Sequence, residues 1–165
     1  MKRYITLILL SVLVSQSIYS QSLTSAQDSY DWKEIELKLN EYNIYDDYEE
    51  SVFREKVGTH YTSYKTGTPS EALEFGQVFR YWYNECSVHI IYGSVYHINL
   101  KDSTLAINNL RVGDSLTEIK AIFSFGKIVE ENEEKSYDVQ IGESVLAFYL
   151  NNDNIVTRIT WDYPL

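Results

Sequence analysis

Three histidines and two acidic runs are the residues of this chain whose types could support chemistry. His89 and His97 are the nearest pair, but the predicted hairpin register places them on opposite faces of their strands, so a shared metal ion is not expected. His60 follows a predicted helix end at Gly58 and is expected on a loop. The sequence contains no nucleophile elbow, phosphate-binding loop, dinucleotide fingerprint or paired-histidine zinc motif. We therefore predict a protein that is not an enzyme, with no catalytic residue, no metal ligand and no cofactor.

The two acidic runs offer carboxylates without the pattern of a metal loop. Residues 46–50 include acids that could bind Ca²⁺, yet the alternating oxygen ligands and the central glycine of a calcium loop are missing. Acidic side chains also stabilise the N-terminus of a helix, and we predict that role for this run. The second run, residues 130–134, is predicted to be a solvated loop between a helix and a strand.

Composition excludes two classes of partner. The formal net charge is -10, from 14 Lys and Arg against 24 Asp and Glu. Nucleic acids and anionic membrane surfaces are bound by clustered cations, so neither is expected as a partner. The length of 165 residues suits one domain, and a hydrophobic content of 44% is enough to bury a core. The 15 tyrosines are an excess that a core or an interface must accommodate.

Residues 1–20 have the pattern of a secretory signal peptide. Lys2 and Arg3 form a positive start, and residues 4–14 are apolar but short for a membrane span. We predict cleavage near Ser20–Gln21, export to the periplasm or the extracellular medium, and no membrane span in the mature chain; an uncleaved anchor is the alternative. The single Cys86 cannot form an internal disulfide and is predicted to be a core or turn residue, with an intermolecular bridge or a reactive thiol as the alternative.

The rest of the chain is similar to itself at a spacing of 68 residues, and we predict a tandem repeat. Glu50 aligns with Glu118 and Gly58 with Gly126, with no gap between them. The predicted organisation is an N-terminal segment (21–34), a first repeat (35–102) with an insert near 59–77, and a second repeat (103–165).

Each repeat is predicted to contain a strand, a helix and three further strands. The helices are expected to begin near Asp47 and Ser115, each with a glutamate three residues later that would complete a capping box. Alternating apolar residues predict the strands 78–84, 87–92 and 95–100 in the first repeat and 135–141, 144–149 and 156–161 in the second. The predicted fold class is therefore α+β, an antiparallel sheet with helices on one face.

Alternation sorts the strand residues onto two faces if Gly93 and Ser94 form a two-residue turn. The face expected beneath the helices carries Trp82, His89, Ile91, Tyr96, Ile98, Leu100, Val139, Leu146, Phe148, Thr157, Ile159 and Trp161. In the first repeat the opposite face is aromatic and apolar, with Phe79, Tyr81, Tyr83, Val88, Ile90, Tyr92, Val95 and His97. In the second repeat it is of ordinary composition, with Ser136, Asp138, Gln140, Val145, Ala147, Tyr149, Val156, Arg158 and Thr160.

An aromatic face left open on a small protein indicates an interaction surface. The residues predicted to bind a partner are Phe79, Tyr81, Tyr83, Tyr92, His97, Tyr149 and Arg158. The alternative is that the 59–77 insert folds over the aromatic patch and covers it.

The second repeat contains the motif LRVGDSLTEI at residues 110–119. This motif resembles the opening of the repeat in β-lactamase inhibitory proteins and in small outer-membrane-assembly lipoproteins of the SmpA/OmlA type. The resemblance implies helices on one face of an antiparallel sheet and a protein partner on the other. The chain departs from the family at Tyr45, where the second repeat has Gly113, and it lacks the paired cysteines of the inhibitors and the lipid-anchoring cysteine of the lipoproteins.

These observations predict a secreted or periplasmic, non-catalytic module that binds another protein on the open face of its sheet. A module that binds carbohydrate or another small ligand is the alternative, because rows of aromatic side chains can stack on sugar rings as well as on protein. A structural component of the envelope is a third interpretation.

Overall fold

The computed structural model describes residues 35–163. The expected signal peptide, the segment 21–34 and residues 164–165 lie outside the described residues. The first half of the described chain forms β1 (Lys38–Leu39), β2 (Tyr42–Asn43), α1 (Glu50–Val57), β3 (Ser63–Thr66), α2 (Pro69–Phe75), β4 (Phe79–Tyr83), β5 (Cys86–Ile91) and β6 (Ser94–Leu100). The second half forms α3 (Leu116–Ile122), β7 (Lys127–Glu131), β8 (Glu134–Ile141), β9 (Ser144–Leu150) and β10 (Val156–Asp162).

Eight of these strands form one antiparallel sheet in the order β3-β4-β5-β6-β10-β9-β8-β7. Two four-stranded meanders therefore meet at their last strands, where Trp161 of β10 lies opposite Ile98 of β6. The short strands β1 and β2 form a separate hairpin, and Leu39 bridges to Ile107 in the segment between the two halves. The architecture is α+β with an antiparallel sheet, as predicted.

The prediction of three strands after each helix was wrong by one strand in each half. The insert supplies β3 together with α2, and the acidic run predicted to be a loop forms β7, the turn after it and the start of β8. In β7, Glu130 and Glu131 are exposed, and the strand lies at the edge of the sheet. Charged side chains suit such an edge because they discourage pairing with a further strand. The tandem repeat itself stays a prediction.

The two predicted helix starts have different outcomes. Ser115 caps α3 as predicted: its backbone N–H donates to Glu118 Oε2 over 2.7 Å, and its hydroxyl accepts from the Glu118 N–H over 3.4 Å. Helix α1 begins after Glu49 with no side-chain cap, so the capping box expected at Asp47 was wrong. The first half instead has its capping box on α2, between Thr68 and Glu71.

Helices α1 and α3 cover the same face of the sheet, and the tyrosine excess of the first half is buried beneath α1. Phe53 of α1 packs on Tyr81 with ring centroids 5.0 Å apart, and the Tyr81 hydroxyl lies 2.6 Å from that of Tyr48. Tyr61 and Tyr64, from the insert, contact Tyr81 at centroid distances of 5.4 and 4.8 Å. The aromatic patch is therefore covered, as the alternative interpretation held, by the insert together with α1.

The two faces of β4 and β5 were predicted the wrong way round. Tyr81, Tyr83, Val88 and Ile90 are core residues, whereas Trp82, His89 and Ile91 are only partly buried. The turn consists of Tyr92 and Gly93, with φ of 53° and 74°, so Ile91 pairs with Ser94. A bulge then makes Ile90 face Val95 while His89 faces His97. Because strand side chains alternate, a shift of one residue exchanges the two faces.

In the second half the predicted core face is correct for Val139, Leu146, Phe148, Ile159 and Trp161. A bulge between Val156 and Arg158 turns Val156 into the core and leaves Thr157 exposed, so those two positions were predicted wrongly. Gly126 lies four residues beyond the end of α3 at Ile122. Packing requires a glycine at this position, since a Cβ there would clash with the Tyr137 ring.

We predict that Tyr81→Ala lowers the free energy of unfolding by about 3–5 kcal/mol, because a fully buried ring leaves a cavity. Tyr81→Phe should cost about 1 kcal/mol, since it removes only the hydrogen bond to Tyr48. Tyr92→Ala is the control, with an expected cost of about 1 kcal/mol or less at an exposed ring. Urea unfolding followed by circular dichroism measures all three, and equal losses for Tyr81→Ala and Tyr92→Ala would contradict the assignment of faces.

Candidate binding face

The sheet face opposite α1 and α3, here called the open face, is the candidate functional site. Successive side chains of a strand point to opposite faces of the sheet. The polar residues that alternate with the apolar core residues therefore lie on the open face. One cross-strand row joins Asp138 of β8, Ala147 of β9, Thr160 of β10 and Asn99 of β6. Of the described helices, α2 reaches this face through an ion pair between Glu71 and Arg80 of β4.

A second row of the open face brings the two histidines together. His97 lies opposite Asp162 on one side and opposite His89 on the other. Nδ1 of His97 is 2.5 Å from Oδ1 of Asp162, and the two imidazole rings have centroids 5.0 Å apart. The prediction that His89 and His97 lie on opposite faces was therefore wrong, because the β5–β6 bulge restores them to one side. Within residues 35–163, no group of three or more His, Cys, Asp or Glu side chains is spaced to hold a metal ion.

Burial, together with the smaller effects of the neighbouring His97 and Arg80, lowers the pKa of His89 to about 4, against the opposing effect of Asp162. Its imidazole is therefore neutral near neutral pH. The Arg80 guanidinium beside Glu71 lowers the pKa of that carboxyl to about 2, with help from hydrogen bonds donated by Thr68. The histidine row thus presents the neutral imidazole of His89 between the Arg80–Glu71 ion pair and the hydrogen-bonded pair of His97 and Asp162.

The second half of the open face contains a groove of about 530 Å³. Its floor includes Ser136, Ala147 and Thr160, and no cationic side chain is among the described residues that line it. Five acids line the groove: Glu131, Glu134, Asp138, Glu143 and Asp162. In a chain of net charge -10, this lining makes the groove a site of negative potential.

Beside the groove, Arg158 and Tyr149 form a stacked pair. The guanidinium carbon of Arg158 lies 3.7 Å from the centroid of the Tyr149 ring, the distance of a cation–π contact. Arg158 also donates from one Nη atom to both carboxylate oxygens of Glu134, over 3.1 and 3.2 Å. This pairing holds the tyrosine ring in place at the groove and neutralises one of its five acids.

Three shielded polar atoms on the open face have no hydrogen-bond partner among the described residues: Asn99 Oδ1, Asp138 Oδ1 and Arg158 Nε. Buried polar atoms are nearly always paired with protein, ligand or ordered water, because an unpaired one costs about 1–3 kcal/mol. Asn99 and Asp138 belong to the same cross-strand row, and Asp138 lines the groove. This part of the sheet therefore offers two acceptors and a donor that an occupant could pair.

The predicted binding residues are divided between the two sides of the sheet. Tyr149, Arg158 and His97 lie on the open face, and Tyr92 is exposed at the β5–β6 turn, where its hydroxyl donates to the Glu74 carbonyl over 2.9 Å. Tyr81 and Tyr83 are core residues and Phe79 packs against the core, so their predicted place on the open face was wrong.

Sequence reasoning passed over the residues that shape the groove. Asp138, Ser136 and Thr160 were assigned to the correct face but given no role, since they lack the aromatic character that marked the first half. Asn99 and Asp162 were not assigned to either face. The sequence did contain one indication of the groove, the negative charge of this face in the second half. Glu134 and Asp138 lie on the same side of β8, and Asp162 of β10 also lines the groove.

None of the described helices is long and apolar enough to cross a membrane. No protein-family model, curated protein sequence or solved structure matches this chain. The resemblance to β-lactamase inhibitory proteins therefore stays an expectation from the sequence.

We predict that stability falls as the pH is lowered from 6.5 to about 4, because unfolded His89 takes up a proton at its ordinary pKa while folded His89 does not. The slope is at most about 1.4 kcal/mol per pH unit, and solvent reaching the partly buried ring reduces it. His89→Gln should flatten this part of the profile, whereas His60→Gln, at an exposed position, should leave it unchanged. Urea unfolding across this pH range measures the slopes, and equal slopes for the His89→Gln and wild-type chains would contradict the prediction.

Proposed function

We propose that this chain is an exported, non-catalytic module that binds a protein partner on the open face of its sheet. The observation that carries the proposal is the set of shielded, unpaired polar atoms beside an uncovered groove, at Asn99, Asp138 and Arg158. A sheet face with groups that lack internal partners gains hydrogen bonds when another protein covers it. The signal-peptide pattern of residues 1–20 supports export.

The charge of the groove supports a partner with a basic segment. Four acids remain in its lining after Glu134 is paired with Arg158, and of these Asp162 also contacts His97: Glu131, Asp138, Glu143 and Asp162. Opposite charges across an interface raise the association rate and fix the orientation of the partner. Tyr149, held by Arg158, is the ring best placed to act as an aromatic anchor at the edge of this groove.

The arrangement of the two halves supports the proposed duplication. Each half has a helix on the core side, α1 or α3, followed by a four-stranded antiparallel meander. The two meanders meet at equivalent strands, β6 and β10. In the proposed repeat, the two copies differ on both sides of the sheet. The first copy has tyrosines in its core and the additional helix α2, whereas the second copy has the groove on its open face.

A photoreactive residue placed in the groove tests the proposal directly. We predict that the chain carrying it at Thr160 forms a crosslink to one defined protein in the native envelope fraction or the culture medium. The same residue at Ala121, exposed on α3, should not capture that protein. Equal capture from both positions, or from neither, would contradict binding on the open face.

The proposed charge complementarity has its own test, using the partner captured at Thr160. We predict that Asp138→Asn and Asp162→Asn each weaken binding about ten-fold, whereas Asp153→Asn, which makes the same change at an exposed turn, does not. Binding should also weaken at about 1 M salt, where the Debye length falls to about 3 Å. Affinities that are unchanged by salt and by both groove variants would rule out a basic segment as the element recognised.

A further inference from the structure

A second cavity, of about 430 Å³, lies where β6 begins and β10 ends. We call it the aromatic pocket, because five of its lining residues are Tyr45, Tyr92, Tyr96, Trp161 and Tyr163. The remaining lining is aliphatic apart from Ser94, and no charged side chain of the described residues contributes to it. The pocket borders the groove, with which it shares Tyr96 and Tyr163.

The walls of the aromatic pocket are held by ring-to-ring contacts. Tyr45 meets Trp161 edge to face, with centroids 6.4 Å apart, and Tyr163 lies 6.0 Å from Trp161. The Tyr163 N–H donates to the Tyr96 carbonyl over 2.9 Å, which ties the end of β10 to the start of β6. Tyr45, Tyr92 and Tyr163 are nevertheless between 42% and 61% exposed, so the rings line an open cavity rather than fill it.

The polar group that marks the pocket is the indole of Trp161. This residue is 1% exposed, yet its Nε1–H has no hydrogen-bond partner among the described residues. A buried tryptophan N–H usually has an acceptor, because leaving it unpaired costs about 1–3 kcal/mol. Trp161 belongs to the wall of the pocket, so an acceptor on a bound molecule is a candidate partner for this N–H.

The chemistry of the wall limits what the occupant can be. Aromatic and aliphatic side chains favour a flat ring with apolar faces, since the positive C–H edge of one ring is attracted to the negative face of another. An anion finds no cation in the lining and meets a chain of net charge -10. A cation would be repelled by the positive end of the unpaired N–H bond and would leave that bond without an acceptor.

We propose that the aromatic pocket binds a small, uncharged ring compound whose carbonyl or ether oxygen accepts a hydrogen bond from Trp161 Nε1–H. The cavity is at the small end of the range of ligand sites, which suits a molecule of one or two rings. Tyr45 lines the pocket, and its phenol hydroxyl, which carries its proton at neutral pH, is available as a second donor. This site does not depend on the proposed protein partner.

Three one-ring probes test the proposal on the full-length chain labelled with ¹⁵N at tryptophan. Methyl benzoate has a neutral ring and an acceptor, toluene has the ring without an acceptor, and benzoate carries a negative charge. We expect methyl benzoate to shift the Trp161 indole N–H signal saturably, with toluene about five-fold weaker and benzoate at least about ten-fold weaker. The indole signal of Trp82, which lies on the other face of the sheet, serves as the internal control.

Two variants distinguish the pocket from nonspecific binding. Tyr45→Ala should weaken methyl benzoate about ten-fold, and Trp161→Phe should remove the preference for methyl benzoate over toluene. Tyr149→Ala alters the open face and should leave probe binding unchanged, so this test is independent of the one for a protein partner. An unmoved Trp161 signal, equal affinity for all three probes, or unchanged binding in Tyr45→Ala would overturn the proposal.

Discussion

The pairing of β6 with β10 is the constraint on which the rest of the structure depends. It joins two four-stranded meanders into one sheet and fixes the register between the two halves. In that register Trp161 faces Ile98 in the core, and the next pair along, Asp162 and His97, faces outward. Within each strand the residues alternate between the core and the open face, except where the bulges beside His89 and Val156 shift the register.

The two sides of the sheet have different chemistry because the same alternation operates on different sequences. Beneath α1, the rings of Tyr81 and Phe53 belong to a connected aromatic cluster that includes side chains from the insert. On the open face, acids and uncharged polar side chains predominate in the second half, and some of their atoms lack partners within the described chain. Stability therefore depends on the tyrosines, whereas the chemistry available for binding is that of the carboxylates, with one tyrosine held by Arg158.

The groove and the aromatic pocket adjoin each other at one end of the β6–β10 pair. Tyr96 and Tyr163 line both the acidic groove and the aromatic pocket, at the end of the β6–β10 pair. A molecule bound in the pocket would therefore contact side chains that also border the acidic groove. Any coupling between the two proposed sites would run through these two rings, and it would be reciprocal.

The structure could be predicted from the sequence wherever a short-range rule determines it. The Ser115–Glu118 capping box, the α+β class and the core face of β8 and β9 were all predicted, since capping is a short-range hydrogen-bond pattern and Leu146 and Phe148 alternate with less apolar residues. The first half was predicted less well, because β5 ends in two consecutive isoleucines, Ile90 and Ile91, which do not distinguish the two faces. Its register depends on a turn with positive φ at Tyr92, an uncommon conformation for a bulky residue, and on a bulge at His89.

The candidate site was harder to predict than the fold. The groove depends on which polar atoms find partners across strands that are far apart in sequence, as Asn99 and Asp138 show. Aromatic residues drew attention to the first half, where they turned out to be core. The sequence showed negative charge on one face of β8 and β10. That charge indicates a site only once this face is known to be the one that the helices α1 and α3 leave uncovered.

The most direct test of the account is the accessibility of cysteines placed at two adjacent positions of β5. The native thiol, Cys86, is buried and gives a low background with a water-soluble thiol reagent. Ser87 lies in the open-face row opposite Asn99, and Val88 is 0% exposed. We predict that Ser87→Cys reacts rapidly in the folded chain and that Val88→Cys reacts only when the chain is unfolded. Rapid labelling of Val88→Cys with protection of Ser87→Cys would place the tyrosines on the open face and contradict the account.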